Sequence, residues 1–244
     1  MMLNEKRARI CAWCILVLAM AGALALGVLD HYGLLSYRHP LTAAKPDQIR
    51  VACVGDSVTY GYGIKNHARN CYPAVLQTLL GDGYCVNNYG YSGRTASDQG
   101  DRPYMEEPLF RQSLDFMPDI VVLMLGSNDS KKKNWEEAAF VESYTALLDH
   151  YCALSSAPQV FVVLPTPVFE TKGGEVKFGI GKDVIAQQIV PLTRAIAQEK
   201  GVHIIDMYSV FDGRSDLFSD GCHPNADGAA LFASTVFSAI TKNK

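Results

Sequence analysis

IRVACVGDS, residues 49–57, is an apolar run that ends abruptly in a turn. Apart from Arg50, the residues from Ile49 to Val54 are apolar on both faces, as expected of a strand covered by helices in a parallel sheet. Gly55-Asp56-Ser57 then supplies the small and polar residues of a tight turn. Outward from this stretch the pattern recurs in YCVNN (84–88), IVVLML (120–125), QVFVVL (159–164) and HIID (203–206). Longer segments separate these runs. Tyr144, Leu147, Leu148, Tyr151 and Cys152 form one stripe, Ile185, Ile189, Leu192 and Ile196 a second, and Ala229, Ala233, Val236, Phe237 and Ile240 a third. Spacings of three and four put each set on one helix face. Strands alternating with such helices predict a doubly wound α/β sandwich with right-handed crossovers. Sheets of this kind bind ligands beyond the carboxyl ends of their strands, so the segment after each strand is where chemistry is expected.

With 244 residues, 48% hydrophobic and 19% charged, the chain suits one large domain and excludes disorder, collagen and a small disulfide-stapled scaffold. A net charge of -3 provides no basic face for nucleic acid. Near the N-terminus, Lys6, Arg7 and Arg9 precede an uncharged run from Ile10 to Leu29, which Asp30 ends. At about 1.5 Å per residue such a run is long enough to cross a bilayer core. Its length favours an uncleaved anchor over a cleaved signal, for which Ala23-Leu24-Ala25 is a poor site. The preceding basic residues set the rest of the chain outside the cytoplasm. The expected organisation is therefore a membrane segment (1–29), a tether (30–48) and a folded domain (49–244). Seven cysteines are present, two of them, Cys11 and Cys14, in the apolar run. The remaining five include no metal-spaced pair, and Cys53 and Cys85 read as buried thiols; a bridge such as Cys71 to Cys85 stays open.

Four segments carry residues with chemistry. After the first run comes Gly55-Asp56-Ser57, where a turn exposes a hydroxyl and a backbone N–H. After the second comes NYGYSGR (88–94), rich in glycines that permit close backbone approach. Gly126-Ser127-Asn128-Asp129 follows the third and brings an amide donor. Asp220-Gly221-Cys222-His223-Pro224 sets a carboxylate three residues before an imidazole, able to hold one tautomer and stabilise its cation. Each alone is ordinary turn chemistry; together they supply a nucleophile, a base, its orienter and oxyanion donors.

In this conjunction the chain resembles the GDSL, or SGNH, family of esterases and acylhydrolases, whose four blocks are matched in order by GDS at 55–57, SG at 92–93, GSND at 126–129 and DGCHP at 220–224. The resemblance implies a flavodoxin-like three-layer fold with five parallel strands. It implies Ser57 as nucleophile, His223 as general base and Asp220 as its orienter. The Ser57 and Gly93 N–H groups and the Asn128 amide would form the oxyanion hole, with Gly90 a nearby competitor for Gly93. No cofactor or metal is expected. Asp56 and Asp129 read as loop-fixing groups rather than reactants.

GDSVTYGYGI (55–64) is similar to bacterial members grouped with sialate and xylan O-acetylesterases, which points to short acyl esters, acetyl on a glycan above all. A lysophospholipase or thioesterase is the alternative, with Tyr91, Arg94, Trp135 and the loop 165–182 shaping the pocket. Lys131 to Lys133 read as a solvated run beside the site, able to draw in an anionic substrate. A metal-dependent phosphoesterase using Asp56, Asn128, Asp129 and His223 is disfavoured, since no His-x-His pair occurs. A silent glycan-binding module is disfavoured by the intact Ser, His and Asp.

Overall fold

The computed structural model describes residues 2–31 and 39–242. Its elements are α1 (Met2–His31), β1 (Ile49–Gly55), α2 (Ser57–Tyr60), α3 (His67–Asn70), α4 (Tyr72–Leu80), β2 (Tyr84–Gly90), α5 (Pro108–Asp115) and β3 (Ile120–Met124). There follow α6 (Glu137–Cys152), β4 (Gln159–Val163), α7 (Lys182–Val184), a π-helical turn (Ile185–Ile189), α8 (Val190–Glu199), β5 (His203–Ile205), α9 (Met207–Val210) and α10 (Ala226–Lys242). All five expected strands form, and every pairing is parallel, in the order β2-β1-β3-β4-β5.

Alternation along the strands divides the core in two. Val51, Cys53, Val122, Met124, Phe161 and Val163 face α4 and α10, packing with Tyr72, Leu76, Phe232 and Val236. The intervening Ala52, Val54, Val121, Leu123, Val160 and Val162 face the opposite layer, with Phe110 of α5, Tyr144 and Leu147 of α6, and Ile196 of α8. β1, β2, β3 and β4 are buried on both faces over most of their length, which is why their sequences read as apolar runs, whereas the short edge strand β5 buries only Ile205. The predicted helical stripes supply the covering layers, with one exception: Cys152, at the end of α6, is exposed. Among the described residues the cysteines are free thiols; Cys85 Sγ donates to Thr42 O and Cys71 Sγ accepts from Asn88, so the Cys71–Cys85 bridge is not formed.

The side chains described in α1 run from Trp13 to Val28, and all are exposed. Among the described residues, no helix is long and apolar enough to cross a membrane. The flanking Lys6, Arg7 and Arg9 side chains and residues 32–38 of the expected tether lie outside the described residues. From His39 to Gln48 the chain runs against the domain: His39 Nε2 lies 2.7 Å from Tyr60 O, and Asn87 exchanges hydrogen bonds of 2.9 Å with the backbone of Thr42.

Strand order reverses direction at β1, whose neighbours β2 and β3 both follow it in the chain. A crevice therefore opens beyond the carboxyl ends of β1 and β3. Residues 56–62 and 126–131 leave the sheet there.

Candidate active site

Ser57 begins α2 directly after β1. Asp56 caps that turn, its Oδ1 accepting from Val58 N at 3.0 Å, which aims the serine into the crevice instead of along the helix. Burial raises the Asp56 carboxyl to about 6, a rise limited by the Val58 N–H and by the charges of His223 and Lys131.

His223 reaches the serine from 166 residues away, its Nε2 2.9 Å from Ser57 Oγ. Behind it, Nδ1 lies 2.8 Å from Asp220 Oδ2. The other carboxylate oxygen, Oδ1, accepts from the N–H groups of Cys222 and His223 at 2.9 and 2.8 Å. A carboxylate beside Nδ1 assigns the ring proton to that nitrogen and leaves Nε2 to accept from the Ser57 hydroxyl. Burial alone would raise Asp220, but the hydrogen bond and charge of His223 and the two backbone N–H groups hold it below the ordinary aspartate value. The carboxylate is thus kept ionised.

Gly221 makes this turn feasible. Its φ is +83°, and a Cβ there would strike the carbonyl of Phe169, whose own N–H donates to Gly221 O at 2.7 Å. Asn225 closes the other end, its Oδ1 accepting from Gly228 N as α10 begins. The Asp-His pair is therefore set by a local turn whose position depends on α10 docking against α4.

Ser57, Gly93, Asn128 and His223 all line one cavity of about 150 Å³. Gly93, at φ +83°, belongs to it; the competing Gly90 does not. A Cβ on Gly90 would collide with the backbone N of Tyr60, so that glycine lets β2 pack against α2. The Asn128 amide nitrogen donates to Arg94 O at 3.1 Å and, less closely, to Asp56 Oδ2 at 3.3 Å. Asp129 fastens the segment bearing Gly93: its two oxygens accept from Ala96 N at 3.0 Å and Ser97 N at 2.8 Å. Burial lifts its pKa to about 7, against the pull of those N–H groups. Both acids hold loops, as expected. Among the described residues no three His, Cys, Asp or Glu side chains are grouped as a metal site.

Three pocket expectations need correction. Arg94 is withdrawn from the cavity: Nε and Nη2 donate to Glu107, Nη1 donates to Ser92 O, and the guanidinium carbon sits 3.4 Å from the centre of the Tyr91 ring. That stack occupies Tyr91 as well. Trp135 points elsewhere, its indole N–H donating to Gln188 at 2.9 Å. None of the three lines the cavity.

The loop 165–182 does contribute, through Val168, Phe178 and Ile180. Phe178 and Tyr62 were not legible as site residues, yet their rings flank the imidazole with centroids 5.1 and 4.7 Å from it. Phe178 adopts φ 62°, a conformation costly for a residue with a Cβ. The sequence signal for it was only its place in the loop 165–182, which was expected to shape the pocket without singling out a residue.

A sequence profile of the GDSL-like lipase/acylhydrolase family matches residues 53–231. An acetylxylan esterase from Xylanibacter ruminicola is 36% identical over 219 residues, covering 82% of this chain. The chain spans only 45% of that esterase's length. Among solved structures, a carbohydrate acetylesterase from Sinorhizobium meliloti superposes with a TM-score of 0.64 at 21% identity, covering 81% of this chain and 100% of its own. A lipase/acylhydrolase from Enterococcus faecalis gives 0.65 at 21% identity, covering 80% and 97%. At these identities the structural likeness concerns the fold: five parallel strands in an α/β sandwich.

Proposed function

Because the chain belongs to the GDSL-like lipase/acylhydrolase family, whose members hydrolyse carboxylic esters, we propose that it is a serine esterase removing short acyl groups, acetyl above all, from carbohydrate. The observation that carries this reading is the continuous relay from Asp220 through His223 to Ser57, with steps of 2.8 and 2.9 Å, opening into a small cavity. In the proposed cycle His223 Nε2 takes the Ser57 proton as Oγ attacks the ester carbonyl. Asp220 stabilises the resulting imidazolium. The oxyanion is received by the Ser57 and Gly93 N–H groups and by Asn128, whose longer bond to Asp56 is the one exchanged for it. His223 then protonates the departing alcohol, and water repeats the sequence on the acyl-enzyme.

Cavity size supports a short acyl group. At about 150 Å³ it falls well below the ~300–1,000 Å³ usual for pockets that bury a drug-sized ligand. Val168, Phe178 and Ile180 offer an acyl chain apolar contact without length. The acetylxylan esterase among the relatives supports a glycan as the alcohol. On p-nitrophenyl esters, kcat/KM for acetate is expected to exceed that for decanoate by about tenfold or more. Preference for the long chain would instead make the protein a lipid- or thioester-directed member of the family.

The proposal extends to location: the run from Ile10 to Leu29, of which only the side chains from Trp13 to Val28 are described, anchors the domain at the outer face of a membrane. An uncharged run from Ile10 to Leu29 behind Lys6, Arg7 and Arg9 supports this, as does the exposure of every described α1 side chain. The protein is expected to stay with sedimented membranes through an alkaline carbonate wash; release into the supernatant would overturn the anchor.

A further inference from the structure

The charge around the cavity does not follow from the charge of the chain. The protein carries a net -3, yet Lys131 lines the cavity, Arg102 stands beside Gly93, and Lys133 lies near enough to act on Lys131. Lys133 is neutralised by Asp101 in a 2.5 Å ion pair. Lys131 and Arg102 form no ion pair among the described residues, although other surface cations such as Arg50, Arg194 and Lys200 do. Lys131 lines the cavity itself and is only partly exposed. Burial lowers its pKa, Asp101 and Asp56 raise it, and Lys133 and Arg102 lower it. Arg102 covers the open side of Gly93: its Nη1 stands 3.5 Å from where a Cβ on that glycine would lie.

The loops that carry these two cations are tied together. Asn134 Nδ2 donates to Asp101 Oδ1 at 2.8 Å and to Asn128 O at 2.9 Å, and its Oδ1 accepts from Asp101 N at 3.1 Å. Thr95 N donates to Arg102 O at 3.0 Å. The loop bearing Arg102 is thereby latched to the loop bearing Asn128 and Lys131, on the side of the site that receives the ester carbonyl. The loop after β4, in contrast, lends the cavity only apolar side chains. A half-buried ammonium and a guanidinium, neither in a direct ion pair with a carboxylate among the described residues and both beside the proposed oxyanion donors, are arranged for a negative charge carried by the substrate.

We propose that Lys131 and Arg102 form an anion subsite that selects acetyl esters of acidic sugars, the sugar carboxylate lying across the two cations while its acetyl group enters the apolar part of the cavity. This rests on the esterase reading and narrows its substrate to a uronate-type alcohol. The full chain, purified in mild detergent, is assayed on two matched sets of substrates, mono-O-acetylated methyl glucuronosides and mono-O-acetylated methyl glucosides, which differ in the carboxylate. The wild-type preference in kcat/KM for the glucuronosides is expected to be about tenfold at low salt and to shrink severalfold at about 0.5 M salt. Arg102→Gln and Lys131→Gln are each expected to cut that preference by about fivefold, with Lys131→Arg retaining most of it. Equal turnover of both sets by the wild type would overturn the subsite, as would variants that slow both sets alike, because the cations would then serve the oxyanion or the buried Asp56. Hydrolysis of p-nitrophenyl acetate without such a preference refutes the subsite alone. Failure on all three substrates refutes the esterase reading and the subsite with it.

Discussion

Ser57→Ala is expected to lower kcat/KM for p-nitrophenyl acetate by about 10⁴- to 10⁶-fold, because the attacking oxygen is removed while oxyanion donors and cavity remain. The loss should appear in kcat. Folding should be nearly unaffected, since Ser57 is only partly buried and the turn is held by its neighbours: Asp56 still caps α2, and the backbone of residue 57 still accepts from Gly61 and Tyr62. Thermal unfolding measured beside the assay separates the two effects. A variant that folds normally and keeps more than about a hundredth of the activity would exclude Ser57 as nucleophile.

Asp220→Asn is the sharper test, because it changes two atoms' chemistry without changing shape. Asp220 Oδ1 accepts from two backbone N–H groups, so an asparagine must keep its oxygen there and turn its NH₂ toward His223 Nδ1. That nitrogen must then accept, which moves the ring proton to Nε2. Nε2 faces Ser57 Oγ at 2.9 Å and can no longer take its proton. A fall in kcat of about 10⁴-fold is expected, comparable to removal of the base itself. An Asp220→Asn enzyme retaining about a tenth of wild-type kcat would mean that this carboxylate does not set the tautomer, and the relay would lose its third member.

Much of this molecule is written in short-range pattern. A strand buried on both faces needs consecutive apolar residues, so the first four runs were legible on that ground, the short β5 by its two isoleucines, and the helix faces by spacings of three and four. The Asp-His pair was legible for the same reason: its members are three residues apart, and a glycine between them marks the turn. Ser57, Gly93 and Asn128 could be nominated because each follows a strand, where this class of sheet leaves its loops.

Other features had no such signature. Arg94 and Tyr91, next to the Ser-Gly block, read equally well as pocket walls, and only the position of Glu107 in the fold draws the guanidinium away. Gly90 and Gly93 are alike in sequence; contact with Tyr60 makes one a packing residue, and the cavity claims the other. Tyr62 and Phe178 meet across His223 although 116 positions separate them, and His39 reaches Tyr60 from a segment that reads as a free tether.

The amino-acid order by itself determined the strands, the helix faces and the local turns bearing Ser57 and the Asp220-His223 pair, because each depends on neighbours within a few residues. Which cation lines the cavity, which apolar side chains bound it and which glycine reaches it were decided only when the strand order β2-β1-β3-β4-β5 brought loops from distant parts of the chain to one edge of the sheet. Burial, charge neutralisation and steric room depend on neighbours in space, and a linear pattern does not record them.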